Sequence, residues 1–159
     1  MDLVYRYAIF LHNLNRWLVL LLLLLALLRA IPGWLGHRVW RPGDDQVGKR
    51  LTMVADLQLL LGLLLAAVSP TVRVALGDMA AAMKDSSLRY WTVEHSGFML
   101  LAVVLIHIGR ARSRRAAPDV VKHRRAAVFF GLALAAILAA MPWQGLASNA
   151  RPLFPEWPF

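Results

Sequence analysis

The chain has no cysteine among its 159 residues. Disulfides, iron–sulfur clusters, thiolate zinc sites and covalently attached c-type haem are therefore excluded. Acidic residues are scarce, with 9 Asp+Glu against 18 Lys+Arg, and charged residues of both signs make up only 17% of the chain. A soluble domain carries about a quarter. No Gly-rich phosphate loop, HExxH pattern or nucleophile–base arrangement occurs, so nothing points to a hydrolase or a nucleotide-binding enzyme, and the short loops leave no room for a separate catalytic domain. No independent catalytic activity is expected.

What the chain does contain is apolar. Hydrophobic residues reach 59% and the mean hydropathy is +0.55. The leucine content excludes disorder, and the long unbroken apolar runs exclude a β-barrel. The expected fold is all-α, an integral membrane four-helix bundle.

A bilayer core about 30 Å thick takes about 20 helical residues to cross. Four stretches qualify, at about residues 4–28, 51–68, 91–109 and 126–141, and place the bundle within residues 1–143. The first is too long for a signal peptide and lacks a small-residue cleavage site. Arg29 through Gly33 reads as a stop followed by a loop. Residues 144–159 form an extended tail rich in proline and aromatics, with Phe154, Trp157 and Phe159 continuing from Trp143. Such a tail suits either a partner subunit or the headgroup zone.

Basic residues set the orientation. Arg29, Arg38, Arg41, Lys49 and Arg50 follow the first span, and seven more lie between Arg110 and Arg125; the other side holds five. Both termini and the segment at 70–90 are thus expected on the periplasmic or exterior side, in a bacterial inner membrane. Tyr5, Tyr7, Tyr90, Trp91 and Trp143 form an outer aromatic belt, with Trp34 and Trp40 inside. The basic excess is explained by insertion and by anionic lipid at the inner loops, and nucleic acid is excluded as a partner.

Ionisable side chains inside a bilayer each need a reason. At 1.5 Å per residue, His12 lies about 25 Å above Arg29 and His95 about 22 Å above Arg110. Two imidazoles at one depth on different helices are what a b-type haem requires, since iron takes two axial nitrogens without a thioether. Arg16, one turn from His12, and Arg89 are candidate propionate partners. Gly97 would leave room for a macrocycle, with Phe98 and Met99 against its rings. The alternative is a cofactor-free polar layer, with His12 bonded across helices and Arg16 paired with Glu94. Asp56 and Gln58 on the second span form either a quinone or proton site or an interhelical hydrogen bond. His107 falls near the inner boundary, without a partner histidine for a second haem. Gly131, Ala135 and Ala139 repeat at four-residue spacing, which lets another helix approach closely. Met79, Met83 and His95 also admit a copper or small-solute site on the outer side.

The strings His12-Asn-Leu-Asn-Arg16-Trp17, Gln58-Leu-Leu-Leu-Gly62, Val93-Glu94-His95 and Pro142-Trp143 resemble those of small four-helix bacterial membrane proteins of cytochrome b-like type. The resemblance runs from about residue 10 to residue 143. It implies a one-chain bundle carrying haem b and associated with respiratory or photosynthetic electron transfer, with His12 and His95 as ligands and Arg16 as neighbour. Members often carry a histidine in the second helix where this chain has Asp56, so no ligand is implied there. Two functions follow: an electron-transfer subunit with one b haem near the outer face, or a haem-free accessory subunit that stabilises a larger membrane complex.

Overall fold

The structure is a computed structural model and describes residues 2–143 and Phe154. Among the described residues every regular element is helical. The long helices are α1 (Asp2–Leu35) and α2 (Pro42–Val68), then α6 (His95–Arg114) and α7 (Asp119–Ala139). Between α2 and α6 lie the short α3 (Pro70–Gly77), α4 (Met79–Ala82) and α5 (Ser86–Arg89), then a π-helical stretch, Tyr90–Glu94, that runs directly into α6.

α1 packs on α2 and α7, and α6 packs on the same two helices. The four long helices close a ring in which α1 faces α6 across one diagonal and α2 faces α7 across the other.

Leu3–Leu35, Pro42–Val68 and Ser86–Arg114 are each long and apolar enough to cross a membrane. Their leucines face both ways. Leu23 and Leu51 are fully buried, whereas Leu21 and Leu60 are 62% and 64% exposed. A helix apolar on all sides needs lipid or a deep core around it, and these exposed leucines have no protein cover among the described residues. This is a membrane protein. α7 carries Lys122, His123, Arg124 and Arg125 within its first two turns, so its apolar part is shorter than in the other three.

Lipid tails are as apolar as leucine, so helices in a bilayer must be held by close packing rather than by exclusion from water. The interior is built accordingly. Ala26, Ala55, Ala102, Ala126 and Ala133 are buried and bring the backbones together around Ile106 and Phe130. Gly109 allows a close α6–α7 approach, for a Cβ there would lie 2.8 Å from the Cβ of Phe129.

The helices outrun the expected spans. α1 continues past 28 and through Pro32 to Leu35. Pro32 has no N–H for the Leu28 carbonyl, but tertiary packing outweighs that loss. The backbone of Gly33 lies against the His123 ring, so that a Cβ there would clash with its Nδ1. The helix ends where His37 takes φ 49° and Arg38 N–H donates to Gly33 C=O at 3.0 Å, a Schellman closure. α2 starts at Pro42, whose fixed φ suits the first helical position. Asp44 accepts from the Arg41 backbone N–H at 2.8 Å and from Arg29 Nε at 2.7 Å. The segment at 70–90, expected as a loop, is instead three capped helices: Ser69, Asp78 and Asp85 accept from Val72, Ala81 and Ser87 backbone N–H groups. The tail at 144–159 lies outside the described residues except for Phe154, whose ring stacks on Trp17 at 5.5 Å.

Asp119, at the exposed start of α7, is held below its ordinary 3.8 by a hydrogen bond from Lys122 and another from the Trp40 backbone. Its contribution to stability is therefore complete above that value and is lost as pH falls through the lowered one.

Gly109→Ala is expected to cost about 1–3 kcal/mol by overpacking. Gly131→Ala, which meets nothing within 4 Å, is expected to be neutral or to gain up to about 1 kcal/mol from helix propensity. Thermal unfolding of both variants in detergent checks the contrast.

Candidate functional site

Away from the basic end, three polar side chains join α1 to α2. Asn15, buried, donates from Nδ2 to Gln58 Oε1 at 2.8 Å and to Val54 C=O at 3.0 Å. Gln58 Nε2 donates to His12 C=O at 3.1 Å and lies 3.2 Å from His12 Nε2. An amide nitrogen only donates, so His12 Nε2 accepts and the ring proton sits on Nδ1. That Nδ1 is buried without a hydrogen-bond partner among the described residues. Gly62, one turn beyond Gln58, makes room: a Cβ there would lie 3.5 Å from His12 Cε1.

His95 follows the π-helical stretch and reaches the end of α7. Its Nδ1 is 2.9 Å from Ala140 C=O, and Tyr90 Oη donates to the same oxygen at 2.8 Å. A carbonyl only accepts, so the proton is on Nδ1 and the Nε2 of the neutral ring bears the lone pair. Trp91 and Tyr90 pack on the ring, with centroids 5.4 and 5.9 Å away. His95 and Arg16 both lie near enough to His12 to act on it electrostatically. The Arg16 guanidinium also sits 5.5 Å from the Trp17 ring centre.

The other candidates lie elsewhere. Arg89 donates to Glu94 at 2.7 Å and to Met83 C=O at 2.9 Å, so Glu94 is paired with Arg89 rather than with Arg16. Gly97 and Phe98 are exposed, on the side of α6 turned away from the bundle, whereas Met99 packs against the core. Met79 and Met83 are exposed on and beside α4.

Asp56 and Gln58 do not form one site. Residues two apart on a helix point to opposite sides. Gln58 turns to α1, while Asp56 pairs with His107 of α6 at 2.7 Å, both side chains half-exposed. His123, within the basic run that opens α7, is only 2% exposed, and its ring packs 4.8 Å from that of Trp40. Neither of its ring nitrogens has a hydrogen-bond partner among the described residues. The basic run around it hid this position.

The donor set fits a bis-histidine haem only on one side. An N–H···O=C bond behind the ring is how a metal-ligating histidine is commonly oriented, and His95 has one. His12 has its Nε2 lone pair engaged by Gln58 and its proton on the other nitrogen. Among the described residues no cluster of three or more His, Asp or Glu side chains is arranged for a metal ion.

No family model, curated protein or solved structure matches the chain.

Gln58→Leu removes the link between α1 and α2 and leaves the Asn15 amide short of a partner. A loss of about 0.6–2 kcal/mol is expected, the range for interhelical hydrogen bonds in membranes. Unfolding by a denaturing detergent, compared with wild type, measures it.

Proposed function

We propose that this chain is a multi-pass subunit of the bacterial inner membrane that works within a larger respiratory or photosynthetic electron-transfer complex. It spans four times, through α1, α2, the run Ser86–Arg114 and α7, with both termini periplasmic. The fourth span draws support from the apolar stretch of α7 after Arg125 and from long basic side chains able to reach the interface. Support for the orientation comes from the ends of the ring. The C-terminal ends of α1 and α6 and the N-terminal ends of α2 and α7 carry the basic residues and belong on the cytoplasmic side.

The observation that carries the subunit reading is the outer face of α7. Gly131 has nothing within 4 Å of a would-be Cβ, and Ala135 and Ala139 are exposed. Among the described residues the small-residue stripe therefore points out of the bundle, where it would let a helix of another polypeptide approach closely. The electron-transfer class is supported by the motifs at His12–Trp17, Gln58–Gly62 and Val93–His95. The engaged His12 ring favours a haem-free accessory subunit, in which the His12–Asn15–Gln58 node serves as a clamp.

A second reading has its own support. α1 and α6 face each other across the bundle, and the lone pair of His95 is on Nε2. In that reading His12 exchanges Gln58 for a b haem, His95 is the opposite ligand and Arg16 holds a propionate. The haem would supply a one-electron carrier.

The pyridine haemochrome assay on detergent-purified protein separates the two. Colourless protein that co-purifies stoichiometrically with a larger complex, and loses it in Gly131→Leu/Ala135→Leu without a change in Tm, is the expected result. A reduced-minus-oxidised band of b type, absent in both His12→Ala and His95→Ala, selects the second reading. Colourless protein that joins no complex rules out both.

A further inference from the structure

A groove of about 380 Å³ opens between α2 and α6 at the basic end, lined by Thr52, His107, Arg110, Ala111, Arg114 and Arg115. Its positive charge is only partly answered. Arg114 pairs with Asp45 at 3.2 Å, and His107 with Asp56 at 2.7 Å. Arg110 and Arg115 have no ion pair among the described residues. The Nε of Arg110 is moreover buried without a hydrogen-bond partner among them. A guanidinium N–H withdrawn from water and left unmet is costly, and an anionic oxygen is the acceptor that best satisfies it.

Directly beside this charged groove the surface turns apolar. Leu60 lies one turn beyond Asp56 on α2, and Val104 lies three residues before His107 on α6; both are exposed. Leu100, a further turn along α6, is exposed too. Unmet cations at the membrane boundary, continuous with a leucine-lined strip running into the bilayer, match one kind of molecule. It has a phosphate at one end and hydrocarbon at the other.

We propose that this groove binds the phosphodiester headgroup of an anionic phospholipid, with Arg110 and Arg115 on the phosphate and the acyl chains along Leu60, Val104 and Leu100. The half-exposed His107–Asp56 pair is then covered by the headgroup rather than left against hydrocarbon. The proposal rests on the membrane reading of the chain and is independent of whether haem is bound.

The test is native mass spectrometry of the full chain, released from nanodiscs containing equal phosphatidylglycerol and phosphatidylcholine. Retention of phosphatidylglycerol over phosphatidylcholine by about tenfold or more is expected, because both carry a phosphodiester but in phosphatidylcholine the choline ammonium cancels its charge and repels the two guanidiniums. Arg110→Gln/Arg115→Gln should lose that preference, and Arg38→Gln, a cation on the α1–α2 turn, should keep it. If the double variant fails to fold, Arg115→Gln alone should still weaken the preference. Equal retention of the two lipids by wild type, or an unchanged preference in the groove variants, would overturn the proposal. Inorganic phosphate is titrated into lipid-free protein to distinguish the sources. No saturable binding is expected, and saturable binding lost in Arg110→Gln/Arg115→Gln would overturn the assignment to lipid. Extraction from membranes by carbonate instead of detergent would refute the membrane reading itself, separately from lipid choice.

Discussion

Backbone proximity is the constraint on which the rest of this molecule depends. In a solvent as apolar as its own side chains, the bundle gains little from hiding leucine and must rely on contact between surfaces that fit. Alanine at the facing positions of all four long helices, and glycine at Gly33 and Gly109, supply that fit. Many leucines, Leu21 and Leu60 among them, are left on the outer face, while Leu23, Leu51, Ile106 and Phe130 fill the interior between the small residues.

Close packing alone is weakly directional, and polar contacts provide what is missing. The chain of Asn15, Gln58 and His12 fixes the register of α1 against α2. The Ala140 carbonyl, taking hydrogen bonds from Tyr90 and His95, ties the start of α6 to the end of α7. His107 and Asp56 join α6 to α2. Three of the four seams thus have a polar signature of their own, so these groups act as structural specifiers as well as candidates for chemistry. That double role makes histidines in a bundle ambiguous when only their depth is known.

Helical class and charge could be read from the sequence; direction around each helix could not. Apolar run lengths were enough for the helical class and for the three helices long and apolar enough to cross a membrane, because hydropathy depends only on composition along the chain. They missed Pro32 inside α1, where packing under His123 overrides a breaker, and the caps at Ser69, Asp78 and Asp85, whose signals lie within a polar segment. Facing was harder. Asp56 and Gln58 looked like one site by proximity in sequence and are split by the helical turn. Gly97 and Phe98 looked like cofactor neighbours and face outward. The leucine-rich helices have almost no polar stripe from which to read an inward side. His123 lay within a cluster of cations, and nothing local showed that its ring was buried.

The π-helical stretch before His95 has a consequence for the geometry of the whole upper end. At 3.6 residues per turn, positions five apart lie about 140° from one another around the axis. Tyr90 and His95 nevertheless meet at a single oxygen. The wider coil absorbs an extra residue and brings the phenol and the imidazole onto one bearing. The faces of α6 below it are thereby out of phase with those of the helical turns above. A heptad-style projection drawn through this junction would assign every residue on one side of it to the wrong wall.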